Sequence, residues 1–277
     1  MSYQYKRHYT GPVHAVIFDW AGTTVDYGCV APVAAFMRVF EQNQAPITVA
    51  EARLPMGAEK RDHIRALLAM PRIAKAWSAT HGGELATEAD IDRLYAAFLP
   101  LQVGIIPDHA DPIPGCIETV AALRSKGIRI AGNTGYARPM MEALMPAAAA
   151  RGYAPDIAIC ASDVPAGRPG PGMALACAIQ LAAPSVAACI KVGDTVVDIE
   201  EGLNAGMWSV GVAMTGNEVG LPKATLDALP ADQRHRLKAA AYDRLARAGA
   251  HYVIDGIADF GPVVEAITAR LARGEAP

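Results

Sequence analysis

The sequence has few cysteines and no long hydrophobic run. These absences argue against a disulfide-rich protein and a membrane-spanning protein, respectively. Its five cysteines are scattered and contain no Cys-x-x-Cys pair, so most are expected to be small core residues in a reducing compartment. No segment is long and apolar enough to span a membrane, and residues 1–10 are polar and basic, without a signal-like apolar stretch. We therefore expect a soluble cytoplasmic protein.

A strong charge of either sign is also absent. The net charge is only -3 over 277 residues, so nothing indicates a nucleic-acid or anionic-membrane partner. Hydrophobic residues make up 52% and charged residues 19% of the chain, which suits a well-buried globular core. With 25 glycines and only five phenylalanines, the composition favours a turn-rich α/β enzyme over a coiled coil or a disordered chain. The length allows one large domain, or one domain with an insert.

Short apolar runs alternate with helical patterns along most of the chain, which predicts an α/β fold with a doubly wound, Rossmann-like parallel sheet. The predicted strands are Ala15–Phe18, Ile128–Ala131, Ile157–Cys160, Cys189–Val192, Trp208–Val212 and Tyr252–Ile254. The predicted core helices are Cys116–Ser125, Pro139–Arg151, Gly172–Leu181, Val197–Ala205 and Pro262–Ala272. The stretch 215–238 carries several glycines and prolines and is predicted to be irregular.

One long stretch, from about residue 30 to 104, has no strand pattern. It is predicted to be helical instead, over Ala31–Gln42, Glu59–Ala69, Pro71–Thr80 and Glu88–Leu99. An insert at this place would lie above the carboxyl end of the first strand, in the position of a lid. The sequence thus predicts a core domain of residues 1–29 and 105–277 and a small helical cap domain of residues 30–104.

Carboxylates follow two of the predicted strands. Asp19 ends the first, and Asp194 ends the fourth, with Asp198 four residues later. Carboxyl ends of parallel strands are where ligands bind in such sheets. Asp19 and Asp194 could share a hard cation such as Mg²⁺, with Asp198 as a weaker or outer ligand. A carboxylate that only caps a turn is the alternative for Asp19.

Two further segments could hold an anion. Thr134 and Gly135 offer a hydroxyl and backbone N–H groups between a strand and a helix, although Thr134 could simply be a helix cap. Arg168 lies in a Gly-Arg-Pro loop and could hold a phosphate with two hydrogen bonds, or could be a solvated surface arginine.

The order of these segments resembles that of the haloacid dehalogenase superfamily. A strand-Asp, a strand-Thr, a loop-Arg and a strand-Gly-Asp-x-x-x-Asp follow one another over about 200 residues. The resemblance implies an aspartyl-phosphate mechanism that depends on Mg²⁺. Phosphatases of that superfamily carry a second Asp two residues after the nucleophile, and here that position is Ala21. A simple phosphate ester would therefore lack its general acid.

Lys60 offers another way to stabilise a leaving group. It lies at the start of a predicted cap helix, where the helix dipole and burial would both disfavour its charged form. A neutral lysine can form a Schiff base with a carbonyl compound. His63, three residues later on the same face, could shuttle a proton. An exposed surface lysine is the commoner fate of any single lysine.

These features together resemble the phosphonoacetaldehyde hydrolase family, over about residues 13 to 260. The segments that carry the resemblance are Phe18–Gly28, Pro55-Met56-Gly57, Lys60-Arg61-Asp62-His63, Met70–Ala74, Thr134-Gly135-Tyr136, Asp163–Pro169 and Lys191–Thr195. Both Ala21 in the first segment and the cap lysine Lys60 are present, which makes the match specific.

The resemblance implies C–P bond hydrolysis of a small phosphonate. Lys60 would condense with the aldehyde, and Asp19 would attack phosphorus. Mg²⁺ would be held by Asp19, the carbonyl of Ala21 and Asp194. Binding of substrate and its phosphoryl oxygens is expected from Thr134, Gly135, Arg168, Met56 and Tyr136.

Three alternatives remain at this stage. A Mg²⁺-dependent phosphomonoesterase or mutase would need an acid where Ala21 stands. A 2-haloacid dehalogenase would have no use for Asp194 or for Lys60. A catalytically silent binding domain would not need Asp19, Lys60, Arg168 and Asp194 intact. A homodimer through the cap is also expected, from the resemblance and from the apolar cap positions Val33, Phe36, Val39 and Phe40.

Overall fold

The computed structural model describes residues 8–277 and confirms the predicted fold class. Six parallel strands form one sheet in the order β3-β2-β1-β4-β5-β6. The strands are β1 Ala15–Phe18, β2 Arg129–Thr134, β3 Ile157–Cys160, β4 Cys189–Gly193, β5 Trp208–Val212 and β6 Tyr252–Ile254. Each strand run is short and mostly apolar because both faces of a parallel sheet are covered.

Five helices follow β1 in the chain, before the core helix Cys116–Ser125 and β2, as predicted for a cap inserted after the first strand. They are α1 Ala31–Gln42, α2 Val49–Arg53, α3 Lys60–Ala69, α4 Pro71–Thr80 and α5 Glu88–Ile105. The short helix α2 begins with a capping box, in which Thr48 and Glu51 satisfy each other's backbone N–H groups. The exact bounds of the two domains stay a prediction.

Seven α-helices lie in the rest of residues 8–277. They are α6 Cys116–Ser125, α7 Arg138–Ala150, α8 Gly172–Gln180, α9 Val196–Asn204, α10 Lys223–Ala228, α11 Ala231–Arg247 and α12 Phe260–Ala272. Alternate residues of β1 contribute to two different core clusters: Val16 and Phe18 to one, Ala15 and Ile17 to the other. Helices therefore cover both faces of the sheet, as a doubly wound fold requires.

The strand order reverses at β1, and this fixes where a site can form. Phe18, the last residue of β1, pairs with Gly132 of β2 on one side and with Val192 of β4 on the other. In open parallel sheets a crevice opens at such a point, outside the carboxyl ends of the strands. The residues that directly follow β1 and β4 are consequently neighbours at this edge of the sheet.

The apolar positions of α1 are buried inside the cap. Phe36, Val39 and Phe40 are fully buried, Val33 is nearly so, and the Phe36 ring stacks on Phe98 of α5 at a centroid distance of 4.3 Å. These side chains thus form the cap's own core and offer no surface to a second copy. The homodimer stays a prediction that rests on the resemblance alone.

Two predictions about helices are wrong. Helix α5 does not end at Leu99 but continues through Pro100 to Ile105, and its last turns pack against α7. The stretch 215–238 is not irregular, since it contains α10 and the first half of α11. Pro222 and Pro230 stand directly before these two helices, where a missing N–H costs nothing. Within residues 8–277, no helix combines the length and apolar character needed to cross a bilayer.

Candidate active site

Asp19 lies at the carboxyl end of β1, in the crevice between β1 and β4. Its backbone N–H donates to the carbonyl of Val192 at 2.9 Å, so the strand pairing continues up to the carboxylate. A tight turn follows, in which the Thr24 hydroxyl donates to the carbonyl of Asp19 at 3.0 Å. The residue is 6% exposed, and its side chain lines a small cavity. The turn thus holds a buried carboxylate at the ligand-binding edge of the sheet.

Asp194 directly follows β4 and lies fully buried beside Asp19. One carboxylate oxygen accepts from the backbone N–H of Asn217 at 2.7 Å, and the other accepts from the Thr23 hydroxyl at 3.3 Å. A Cβ on Gly22 would lie only 2.2 Å from the Asp194 carboxylate, so a glycine is required there. The first turn and the carboxylate after β4 are therefore packed directly against each other.

The arrangement of buried charge fits a divalent cation. Asp19, Asp194 and Asp198 each have an oxygen within 4.8 Å of the others. Burial and the charge of Asp198 raise the pKa of Asp19 to about 6, and burial and the charge of Asp19 raise the pKa of Asp194 well above its usual range. A bound cation would favour the ionised forms of both, and a hard cation is the kind that carboxylate oxygens prefer.

Asp198 is in a different electrostatic position. Although burial would raise its pKa, the neighbouring cations Arg168 and Lys191 lower it. Its Oδ1 lies 2.6 Å from the Lys191 ammonium and 2.9 Å from Arg168, and its Oδ2 accepts from the Thr195 hydroxyl at the start of α9. Asp198 thereby neutralises the two buried cations and caps a helix.

Removing this charge should destabilise the fold. The Asp198→Asn variant keeps the size of the side chain but leaves Lys191 and Arg168 with less compensation in a buried place. We expect its free energy of unfolding, measured with urea in the presence of EDTA, to fall by about 3 kcal/mol or more. Asp227→Asn, which breaks an exposed i,i+4 pair with Lys223, is the control and should change it little. Equal effects of the two variants would contradict this interpretation.

Arg168 is the centre of a buried network that the sequence only partly revealed. Its guanidinium donates to Asp19 Oδ1 and to Glu201 Oε2, each at 2.8 Å, and to the side chain of Asn133 at 2.7 Å. The arginine is 5% exposed, so the alternative of a solvated surface arginine is excluded. Glu201, Lys191 and Asn133 were not predicted as site residues. The one signal in the sequence was the position of Lys191, a charged residue within the otherwise apolar run of β4.

The charges of this cluster balance only if Asp19 and Asp194 are protonated or a further cation is bound. With all groups ionised it holds four carboxylates and two cations, which leaves two negative charges: Asp19, Asp194, Asp198 and Glu201 against Arg168 and Lys191. Buried charges are stable only when they are paired, so a divalent cation matches this deficit.

The cap contributes Lys60 to the same place. It is the first residue of α3, directly after Glu59, whose side chain caps the helix by accepting from two backbone N–H groups. Lys60 is 2% exposed, and its ammonium lies 5.2 Å from the ring centroid of Tyr136 and 5.8 Å from that of Phe36. Burial lowers the pKa of Lys60, which is the direction that the sequence predicts.

One cavity brings cap and core residues together. It has a volume of about 20 Å³ and contains every predicted site residue except His63 and the outer-ligand candidate Asp198. The lining residues are Asp19, Ala21, Cys29, Pro32, Met56, Gly57, Lys60, Thr134, Gly135, Tyr136, Arg168, Asp194 and Thr195. Cys29 and Thr195 were not predicted to line it. A carboxylate from the core and an amine from the cap thus face one enclosed space.

The cap loop before α3 approaches the core closely enough to require glycines on both sides. A Cβ on Gly135 would lie 2.6 Å from the carbonyl oxygen of Ala58, and one on Gly57 would lie 2.4 Å from the Thr195 hydroxyl. Thr134, the last residue of β2, accepts the backbone N–H of Tyr136 at 3.1 Å. The loop is therefore wedged between the turns that follow β2 and β4.

His63 is not part of this cavity. Its ring is fully buried within the cap, stacks on Phe36 at 3.9 Å, and has Nε2 2.9 Å from the carbonyl oxygen of Ala52. Burial and then the charge of Lys60 hold the pKa of His63 well below its ordinary value, which favours a neutral ring. The geometry gives a proton shuttle by His63 no support.

Comparisons with known proteins agree with this geometry. The family model of haloacid dehalogenase-like hydrolases matches residues 13–206. Phosphonoacetaldehyde hydrolase from Hahella chejuensis is 52% identical over 277 residues, which is 100% of this chain and 94% of that relative. The enzyme of the same name from Nitratidesulfovibrio vulgaris is 49% identical over 271 residues, 98% of this chain and 96% of the relative.

Solved structures give the same result. A phosphonoacetaldehyde hydrolase-like protein from Oleispira antarctica has a TM-score of 0.97 at 47% identity, and the match covers 100% of both chains. A structure described as a putative beta-phosphoglucomutase from Bacteroides vulgatus has a TM-score of 0.65 at 18% identity, with 94% of this chain and 90% of that one covered, so it shares the fold alone. This chain is therefore a hydrolase that belongs to the phosphonoacetaldehyde hydrolase family, within the haloacid dehalogenase-like hydrolases.

Proposed function

We propose that this protein hydrolyses the C–P bond of phosphonoacetaldehyde to acetaldehyde and phosphate. The observation that carries the proposal is the single cavity shared by the Lys60 amine of the cap and the Asp19 carboxylate of the core. Ala21 lines the same cavity at the position where a phosphatase would need its acid. Relatives at 46–52% identity that bear this enzyme's name support the choice of substrate.

Lys60 activates the substrate in the first step. Its neutral amine adds to the aldehyde carbon, and loss of water gives an imine that is then protonated. A lowered pKa increases the neutral fraction of the amine at neutral pH. The protonated imine lies next to the carbon that bears phosphorus, and it can accept the electron pair of the C–P bond.

Asp19 then takes the phosphoryl group. Its carboxylate attacks phosphorus, the C–P bond breaks, and the bonding pair moves into the imine to give an enamine. The leaving group is a neutral enamine and not an alkoxide, so no acid is needed at position 21. Water hydrolyses the aspartyl phosphate, the enamine takes a proton on carbon, and water releases acetaldehyde from Lys60.

The remaining cavity residues hold and neutralise the phosphoryl group. Arg168 and the backbone around Thr134 and Gly135 supply hydrogen-bond donors for its oxygens. Asp19, the carbonyl of Ala21 and Asp194 would hold a divalent cation, for which Mg²⁺ suits an all-oxygen set. When bound, this cation neutralises the negative charge of the phosphoryl oxygens.

The proposed reaction requires the cap to move, because the cavity is small. About 20 Å³ is room for roughly one or two water molecules, which is less than a phosphonate requires. Lys60 lies on the cap and Asp19 on the core, so opening admits substrate and closure brings amine and carboxylate together.

Release of both products tests the proposal. Purified protein with Mg²⁺ should release acetaldehyde and phosphate from phosphonoacetaldehyde in equal amounts, with little phosphate from p-nitrophenyl phosphate. EDTA should slow the reaction by at least about a hundredfold, and added Mg²⁺ should restore it. Rapid phosphate release from phosphate monoesters with none from phosphonoacetaldehyde would instead identify a phosphomonoesterase, and full activity in EDTA would refute the cation.

A further inference from the structure

Arg53 has no place in the chemistry above, yet it makes an unusual set of contacts between cap and core. It ends α2 in the cap, and its guanidinium reaches out of the cap. Nη1 donates to the carbonyl oxygens of Gly28 at 3.0 Å and Cys29 at 3.3 Å, where the chain enters the cap. Nη2 donates to the carbonyl oxygen of Gly220, in the loop after β5, at 2.7 Å.

Asn217 connects Arg53 to the candidate active site. Its side-chain oxygen accepts from Arg53 Nη1 at 3.1 Å, and its side-chain nitrogen donates back to the carbonyl oxygen of Arg53 at 3.2 Å. The backbone N–H of the same residue donates to the carboxylate of Asp194 at 2.7 Å. One residue of the core thus touches both the cap arginine and a carboxylate of the site.

The loop that contains Asn217, residues 215–220, is packed tightly at both ends. A Cβ on Gly216 would lie 2.1 Å from the Cβ of Asp194, and one on Gly220 would lie 2.5 Å from Nε of Arg53. Gly220 also has a φ of +67°, a conformation that other residues rarely adopt. A displacement at the Arg53 end is therefore passed on to Asp194, since there is no free space to absorb it.

We propose that Arg53 is a positioning residue that links closure of the cap to the orientation of Asp194. With the cap closed, its guanidinium fixes loop 215–220, and the Asn217 N–H then holds the Asp194 carboxylate. This inference rests on the proposed function, because it takes Asp194 as a ligand of the divalent cation.

Replacing Arg53 with alanine should weaken cation binding without unfolding the protein. We expect Arg53→Ala to bind Mg²⁺ about tenfold more weakly by titration calorimetry in the absence of substrate, since it loses the bonds that fix loop 215–220. Hydrogen exchange should become faster in peptides that cover residues 26–30 and 215–220. Arg53→Lys keeps the charge and an ammonium donor group but loses the planar guanidinium that reaches several acceptors, so it should recover part of the affinity.

The chain provides a matched control. Arg72 is also a cap arginine with several hydrogen bonds, but its partners, Glu51 and the carbonyl of Pro46, lie within the cap. Arg72→Ala should keep wild-type Mg²⁺ affinity. Asn217→Ala should weaken Mg²⁺ binding as Arg53→Ala does. The double variant should bind Mg²⁺ about as tightly as either single variant, because both changes break the same link.

Several outcomes would overturn the proposal. They are unchanged Mg²⁺ affinity in a folded Arg53→Ala protein, an equal loss in Arg72→Ala, additive effects of Arg53→Ala and Asn217→Ala, and no Mg²⁺ binding by the wild type. If the wild type releases no phosphate from phosphonoacetaldehyde while Arg53→Ala still weakens Mg²⁺ binding, the proposed function fails and the positioning role stands. Calorimetry and exchange need no substrate, so the two failures are distinguishable.

Discussion

Replacing Lys60 with arginine should lower kcat/KM for phosphonoacetaldehyde by at least about a thousandfold, because a residue that forms a covalent intermediate is lost. Arginine retains a long cationic side chain, but its guanidinium is always charged and cannot condense with an aldehyde. Steady-state assays of acetaldehyde release measure the loss, and a melting curve confirms that the variant is folded. Lys75→Arg, at an exposed position of α4 in the same cap, is the matched control and should keep wild-type activity.

Borohydride reduction identifies the reacting lysine directly. Added together with phosphonoacetaldehyde, it should inactivate the wild type and leave a two-carbon adduct on Lys60 in the peptide map. Lys191 provides an internal comparison, since it is also fully buried but is ion-paired with Asp198 at 2.6 Å. Label on Lys191 or on a surface lysine, or rapid turnover by Lys60→Arg, would show that the imine assignment is wrong.

The sheet and the position of its two key carboxylates could be predicted from the sequence. Strands of a parallel sheet are apolar on both faces, so runs such as Ala15–Phe18 stand out without any knowledge of their neighbours. Their carboxyl ends lie at one edge of the sheet, so Asp19 and Asp194 were expected at the same edge, and the observed pairing of β1 with β4 makes them neighbours. The apolar residue types of the strands therefore predicted where the strands end and which side chains follow them.

The partners of Arg168 could not be predicted in the same way. Asn133, Lys191 and Glu201 come from β2, β4 and α9, and no sequence spacing relates them to Arg168. Glu201 lies in α9 beside other acidic residues, and nothing in the sequence distinguishes it from an exposed glutamate. The structure shows that it is fully buried. Networks of buried charge depend on tertiary contacts, which a single sequence does not reveal.

Helical spacing misled in the case of His63. A separation of three residues placed it on the same face of α3 as Lys60, which is correct for a helix surface. Lys60 is the first residue of the helix and reaches the cavity at its end, whereas the His63 ring packs on Phe36 inside the cap. Position along the helix, and not the face alone, determined which of the two residues lines the cavity.

Prolines do not consistently mark helix ends in this chain. Pro100 stands inside α5, a helix that continues to Ile105 and packs against α7. Pro222 and Pro230 begin helices. Helix α11 is mostly polar and buries few residues, among them Ala241 and Leu245, so it has little apolar periodicity to detect.

Changing Asp19 to asparagine should abolish turnover, with a loss of at least about ten-thousandfold in kcat. Asparagine keeps the shape of the side chain and an acceptor for Arg168, which donates to Asp19 Oδ1 at 2.8 Å, so the fold should persist. An amide cannot attack phosphorus, however. Mixing wild-type protein with ³²P-labelled phosphonoacetaldehyde and quenching in acid should trap a protein-bound phosphate that hydroxylamine removes, as expected of an acyl phosphate.

Two further variants separate the nucleophile from the cation ligand, because Asp19 is proposed to be both. Asp194→Asn loses only a ligand, so at high Mg²⁺ it should still form the trapped phosphoprotein, more slowly than the wild type. Asp227→Asn changes an exposed aspartate of α10, outside the cavity, and should label like the wild type. Labelling of Asp19→Asn at the wild-type level, or a trapped phosphate mapped to any residue other than Asp19, would require a different nucleophile.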